Sequence, residues 1–205
     1  MNFDHALFIL QGTLVNVTYA LLAGSLAFFI SFFLLFSPFK YFKLAYLSIF
    51  RGTPLLVQLS FFYFVLPQVL SIHLSVFTSG IICLTLNSTA YMLASLESIL
   101  KSIDTSQILA AQTLQMTNKE IKRYIIFPQV LKTGLSSLGN EWINLIKESS
   151  ILSFIGEMDL IRRFQLVSSE TYSYLEPLFV TGFCFYITIL FFSLFLNFFE
   201  KKYLC

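Results

Sequence analysis

Apolar positions in this chain come in long unbroken runs, without the two-residue alternation of a half-buried strand. Thr13 to Phe36 carries no formal charge. About 20 apolar residues cross a bilayer, so the pattern predicts a first spanning helix over 13–36. Lys40, Lys43 and Arg51 follow in a more polar stretch. From Gly52 to Leu96 the chain is again free of charge apart from His73. That run is long enough for two helices, and Pro67 with Ser71 to His73 marks a turn, which predicts spans at 54–70 and 76–97. A polar island occupies residues 98 to 150. After it come a weaker apolar segment, predicted as a span over 149–167 although it contains Glu157, Asp159, Arg162 and Arg163, and a strong run over 177–199 followed by Lys201 and Lys202. Backbone groups in lipid must be paired internally, so helices are expected. The expected fold is a single all-α integral membrane domain over 1–205, with five transmembrane helices and a cytoplasmic loop over 98–148 between spans three and four.

Charge orients this arrangement. Basic loops resist translocation and stay in the cytoplasm. With the N-terminus outside and the C-terminus cytoplasmic, eleven of the thirteen Lys and Arg residues fall inside and only Arg162 and Arg163 outside. Dropping the fourth span would put one basic cluster outside, so the bias favours five. Charged residues make up 12% of the chain, against roughly 25% in soluble domains. Nucleic-acid binding is not expected, because no basic stripe lies outside the orienting loops. Cys83, Cys184 and Cys205 are far apart and form no metal or disulfide spacing. The N-terminus has no basic region ahead of its apolar run and carries Asp4, so the first span is expected to be retained. His5 and His73 fall at outer ends with no acidic partner in sequence, and Trp142 is expected as an interfacial anchor. Gly24, Gly80 and Gly182, each alone inside a span, are expected at close helix contacts.

The island has internal structure. Asp104 followed by Gln107 resembles a capping pair, and Thr117 with Glu120 has capping-box spacing. Helices are predicted over 105–116 and 118–127. Pro128, which lacks an amide hydrogen, should end or kink the second. Ile108, Ala110 and Ala111 give the first a small-residue face, which fits either a docking surface or a helix lying on the membrane.

The same residues carry a family resemblance. Leu109-Ala110-Ala111, three residues, Gln115, nine residues and then Ile125-Ile126-Phe127-Pro128 resembles the cytoplasmic Glu-Ala-Ala…Gly…Ile-x-Leu-Pro motif of permease subunits in binding-protein-dependent ABC importers. The spacing matches throughout, while Leu109, Gln115 and Phe127 depart in kind. Arg51-Gly52-Thr53-Pro54-Leu55-Leu56-Val57-Gln58-Leu59 is similar to a stretch of the polar amino acid branch. So are Ala90-Tyr91, Pro128-Gln129, Leu138-Gly139-Asn140 and Lys147-Glu148-Ser149-Ser150. The resemblance runs from about residue 10 to 200 and implies the five-span, methionine-importer type of fold.

The resemblance implies that the motif loop is a coupling helix seated in a cleft of a separate ABC ATPase subunit. Gln107, Leu109, Ala110, Ala111, Gln115 and Pro128 would be its coupling residues, with Ala110 and Ala111 on the contact face. The implied partners are that ATPase, an extracytoplasmic amino acid-binding protein, a second permease copy or a paralogue, and membrane lipid, in a bacterial inner membrane. No cofactor is expected, because the chain lacks a Gly-x-x-x-x-Gly-Lys-Ser/Thr loop and ATP would bind the partner. Leu109 removes the family's acidic contact. Gln115 stands where the family has a turn glycine, so either the turn uses ordinary helical angles or it shifts toward Thr117-Asn118. In the third span Ala94 and Glu97 replace the charged residues many relatives carry.

Polar residues inside spans default to function. Gln58, Asn87, Ser88 and Tyr91, together with Ser149, Ser150 and Ser153, are the candidate substrate path, although a serine can simply bond back to its own helix. Glu157 is expected at an exposed outer end, and Gly156 could break the fourth span. No nucleophile–base pair supports a membrane-embedded enzyme, and no ring-forming element supports a selective channel. A channel or scaffold uncoupled from ATP is the alternative to a non-catalytic importer permease.

Overall fold

The computed structural model describes residues 2–204, with side chains through Lys201; the Lys202 side chain and Cys205, both weighed above, lie outside the described residues. Among the described residues every regular element is helical. Helices α1 (Phe3–Leu35), α5 (Val76–Ser102) and α10 (Leu175–Leu204) contain the apolar runs expected at 13–36, 76–97 and 177–199. All three are long and apolar enough to cross a membrane. Exposed Leu, Ile and Phe side chains cover most of α10 and the outer face of α1, as a lipid-facing surface requires.

The run expected at 54–70 is present as α3 (Leu55–Ser60), a π-helical stretch over Phe61–Val65, and α4 (Leu66–Leu70). It forms a bent pair with α2 (Lys40–Gly52), at an angle of 104° across Thr53-Pro54. α2 runs beside α5. Lys43 faces Glu97 at 3.5 Å, and Arg51 sits 5.6 Å from the centre of the Tyr91 ring. The α2 helix therefore climbs from the C-terminal end of α5 toward its middle.

One expectation about the island is corrected, and one of two alternatives is decided. The chain does not remain a loop to residue 148. After α6 (Thr105–Thr113), α7 (Asn118–Glu120) and a π-helical stretch over Ile121–Ile126, a long helix, α8, runs from Phe127 to Glu148. Pro128 does not end the helix. A proline ring clashes with the carbonyl four residues back and has no hydrogen to donate to it. The turn before Pro128 widens, with the Phe127 N–H reaching the Lys122 carbonyl five residues back, and the helix continues. Pro67 follows the other π stretch in the same way, where the Leu66 N–H bonds to the Phe61 carbonyl.

Nor is 149–167 one helix. Residues Ser149–Ile155 form a 3-10 turn that Gly156 stops at φ +91°. α9 (Leu160–Thr171) starts afresh, with Asp159 Oδ1 accepting from the Arg162 N–H at 2.8 Å. The loop boundary has a plain cause. Lys132, Glu141, Lys147 and Glu148 made α8 read as polar, yet Val130, Gly134, Leu138, Leu145 and Ile146 bury a continuous apolar stripe against α1, α5 and α10.

The core follows α1. Phe127 packs on Phe32, Trp142 stacks on Phe28, and Ser149 meets Asn16. α8 is thus antiparallel to α1, and Lys147 lies at the end of α8 remote from α6. Trp142 packs against α1. Its indole lies over Gly24, where an added Cβ would come within 2.1 Å of the ring nitrogen. Gly80 likewise faces Tyr19 and Leu152, whereas Gly182 has open space beside it. His5 has an acidic neighbour that the linear sequence hid: Glu170 of α9, 3.8 Å away.

Candidate functional site: a polar seam and a capped cytoplasmic helix

Two arrangements stand out. The first is a seam along α5 and α8. On α8, Ser137, Asn140, Glu141 and Asn144 recur every three or four residues on the side away from the buried stripe. On α5, Ser95 and Ser98 face them, with Tyr91 one turn earlier on the helix. Ser95, Ser98 and the four α8 residues, with other side chains, line an open groove of about 580 Å³. Ser88 donates to Glu141 Oε1 at 3.2 Å, joining the helices at the upper end of this face. Tyr91, one turn along α5 from Ser88, carries the Arg51 guanidinium on its ring. A cation from α2 and a carboxylate from α8 therefore flank the same turn of α5. Polar surface of this kind is costly against lipid and belongs on a water-filled or protein-covered face.

The structure divides the predicted path residues. Ser88 is buried and bonds to the seam's Glu141, and Tyr91 lies beside the groove under Arg51. Gln58 and Asn87 form a buried clamp: Gln58 Nε2 lies within 3.0 Å of the Phe50 and Thr53 carbonyls and Thr53 Oγ1, while Asn87 Nδ2 donates to Gln58 Oε1 at 3.1 Å. This clamp satisfies the backbone left open by the break between α2 and α3. Ser149 accepts from Asn16 and donates to the Ile146 carbonyl. Ser150 and Ser153 bond back to the Lys147 and Ser150 carbonyls. Glu157 is only part-exposed and accepts from the Tyr19 hydroxyl. Glu97, the odd acid of the third span, pairs with Lys43. Arg51, Glu141, Asn140 and Asn144 are site residues the sequence reading does not single out. The three-to-four spacing of Asn140, Glu141 and Asn144 on α8 is the available signal, hidden when 98–148 is taken as a loop; Arg51 carries no such signal.

The second arrangement is α6. Asp104 caps it, with Oδ1 accepting from the Ser106 N–H at 2.9 Å, and Thr117 and Glu120 complete a reciprocal capping box. The backbone N–H of Ser106 holds the Asp104 carboxyl below its ordinary pKa, and the Thr117 hydroxyl does the same for Glu120. Gln107 Oε1 accepts from Gln129 Nε2 at 2.7 Å, fixing α6 to the base of α8 next to Pro128. Ala111 does not face outward as expected. It is buried beside Ile121 and Ile126, with Ile108 one turn away packed on the same cluster. Leu109, Ala110 and Leu114 are exposed instead.

Gln115 overturns both alternatives left open for it. It adopts φ +56°, while its N–H bonds to the Gln112 carbonyl at 2.9 Å and the Met116 N–H reaches the Ala111 carbonyl at 3.1 Å. That is a Schellman closure with glutamine at the position glycine prefers. Gly156 closes the 3-10 turn with the same pair of bonds, from Gly156 N–H to Ser153 and from Glu157 N–H to Leu152.

A helical bundle that keeps a hydrophilic seam inside a lipid-facing envelope defines a class: the membrane subunit of a transport system. The chain belongs to the family of binding-protein-dependent transport system inner membrane components, whose model matches residues 20–204. Members are transport components of the bacterial inner membrane, not catalysts. The chain is 44% identical over 202 residues to a protein of Rickettsia typhi described as a putative glutamine transport system permease, covering 96% of this chain and 93% of that one. Among solved structures, an amino acid ABC transporter crystallised with histidines superposes with a TM-score of 0.90 at 32% identity, over 98% of this chain and 99% of that one. The methionine ABC transporter MetNI in an inward-facing conformation superposes with a TM-score of 0.83 over 98% and 99% of the two chains; at 16% identity this is a likeness of fold.

Proposed function

We propose that the chain is the permease subunit of an ATP-driven importer of polar amino acids, and that the α5–α8 seam is its half of the translocation path. Family membership, the glutamine transport permease and the amino acid ABC transporter solved with histidines support the class of cargo. The observation that carries the site is the pairing of opposite charges about one turn of α5. Arg51 suits the carboxylate of a zwitterion and Glu141 its ammonium, with Tyr91, Ser88 and Asn144 as neutral partners. One copy leaves the groove open on one side, so a second copy or a paralogue closes it.

In this reading the chain crosses the membrane five times, with α8 as the fourth crossing and α2 to α4 as a broken second one. The N-terminus is outside and the C-terminus cytoplasmic. Lys40, Lys43, Lys101, Lys119, Lys122, Arg123 and Lys132 then sit toward the cytoplasm, Arg51 lies beside the seam over Tyr91, and Arg162 and Arg163 stay outside. The α6 helix enters a cleft of an ABC ATPase, which binds the ATP, and an extracytoplasmic binding protein delivers the amino acid. Leu109, Ala110 and Leu114 make an uncharged contact surface, with Gln107, Ala111, Gln115 and Pro128 holding its shape.

The test is uptake of labelled glutamine, arginine and histidine in cells carrying the transporter as their only such system. Glu141→Gln and Arg51→Gln are each expected to lower uptake at least about tenfold while the ATPase still co-purifies. Undiminished uptake in both variants refutes the seam as the path. Uptake by the lone chain without nucleotide refutes coupling and favours a channel. Labelling of a Lys119→Cys variant from outside intact cells refutes the orientation.

A further inference from the structure

The charged base of α2 is not used by transport through the seam. Lys40 and Lys43 at the start of α2, with Lys101 at the end of α5 and Glu97 one turn earlier, surround a pocket of about 220 Å³. Its other walls are leucines: Leu35, Leu44, Leu47 and Leu100. Glu97 is committed to Lys43, whose Nζ also lies 3.4 Å from the Leu35 carbonyl. Lys40 and Lys101 are exposed and take part in no ion pair among the described residues. Three lysines against one glutamate leave the pocket with a surplus of two positive charges.

Its depth is marked independently. Phe39, Tyr41 and Phe42, on either side of Lys40, are 65%, 85% and 57% exposed. An exposed tyrosine such as Tyr41 beside lysines suits the headgroup layer, where tyrosine is enriched and lysine heads reach water. A cationic rim over apolar walls at that level complements one kind of molecule, whose phosphate meets the ammonium groups while its acyl chain follows the leucines.

We propose that this pocket binds the headgroup of an anionic phospholipid, with Lys40 and Lys101 contacting the phosphate and Lys43, held by Glu97, completing the site. The proposal needs only that the chain sits in a bilayer. It stands or falls separately from the identity of the cargo.

The test is native mass spectrometry of the purified transporter in a zwitterionic detergent, with added phosphatidylglycerol or phosphatidylcholine. Wild type is expected to retain phosphatidylglycerol preferentially, and Lys40→Gln/Lys101→Gln to lose most of that preference, about tenfold in retained lipid. A Lys119→Gln/Lys122→Gln variant controls for general loss of charge and is expected to retain lipid like wild type. Glu97→Gln, which removes the only acid from the pocket, is expected to raise retention. It provides a readout if the double variant does not fold. Equal retention of the two lipids by wild type, an unchanged preference in the double variant, or unchanged retention in Glu97→Gln would each overturn the proposal. Displacement of the lipid by millimolar inorganic phosphate would also overturn it, by identifying a free anion as the ligand.

Discussion

Gly12 offers a sharp test of how the outer corner of the molecule is built. An added Cβ there would lie 2.6 Å from Leu160 Cα, 2.7 Å from Leu160 N and 2.9 Å from the Asp159 carbonyl carbon. All three are backbone atoms, so no rotamer change relieves the overlap. Ordinary contact begins near 3.4 Å, which leaves about 0.8 Å to be opened between α1 and the start of α9. One turn along α1, the Leu160 N–H donates to Asn16 Oδ1 at 3.1 Å, and Asn16 Nδ2 donates to Ser149 Oγ at 2.8 Å. Opening the gap stretches the first of these bonds beyond useful length. Overpacking costs about 1–3 kcal/mol, and a buried hydrogen bond contributes about 1 kcal/mol.

Gly12→Ala is therefore expected to destabilise the chain by about 3 kcal/mol, or about 6–12 °C in Tm for a domain of this size. Thermal unfolding in detergent, followed by loss of the monodisperse elution peak, measures it. Gly182→Ala is the control: it has open space around the added Cβ, gains helix propensity, and should not lower Tm. Asn16→Ala adds a coupling test. Because Gly12→Ala has already broken the bond to Leu160, the asparagine change should cost less in that background than in wild type. If Gly12→Ala were as mild as Gly182→Ala, or if the two changes were additive, the close-packed corner would be refuted.

Three more outcomes are expected. Gln58→Leu strands Asn87 and the open carbonyls at the break between α2 and α3, and should cost about 2–4 kcal/mol by the same thermal assay. Gln115→Gly removes a left-handed strain of about 1–2 kcal/mol against a smaller entropic loss, so it should slow proteolysis between α6 and α7; faster cleavage refutes the Schellman reading. Because their caps depress the folded-state pKa values of Asp104 and Glu120, that stabilisation is full above the ordinary values of 3.8 and 4.5 and is lost as pH falls through the lower folded values. Hydrogen exchange over 104–127 should stay protected from pH 7 to 5 and open only under stronger acid; opening between pH 7 and 5 refutes it.

The sequence revealed the helices whose burial and hydropathy agree, and obscured those where they conflict. α1, α5 and α10 face lipid or core around most of their circumference, so their runs are continuous and legible. α8 is apolar on one side and hydrophilic on the other, and a scan for uninterrupted apolar residues counted the seam's Asn and Glu side chains as evidence of a loop. The break at Gly156 displaced the reading further, because Ile151 to Leu160 is apolar enough to resemble a span while Gly156 and Asp159 turn it. Caps were legible because they are local: Asp104 and the Thr117–Glu120 pair follow from spacing alone. Gln115 was not, because its left-handed turn is held by Ala111 and Met116 packing into the core, a tertiary gain that outweighs a local preference.

The same conflict explains why the seam is the informative surface. A helix inside a lipid-facing bundle gains nothing from Asn140, Glu141 and Asn144 on one face unless that face meets water, cargo or another polar wall. Glu141 is held by Ser88 and Asn144, as Gln58 is by Asn87, yet Asn140 and Asn144 remain exposed along an open groove. Arg51, too, is set on the same turn of α5 by a helix break that the Gln58 clamp exists to support. The polar residues of this molecule therefore fall into two kinds: those that close on themselves and shape the bundle, and those left open on one face, where the transported molecule is proposed to pass.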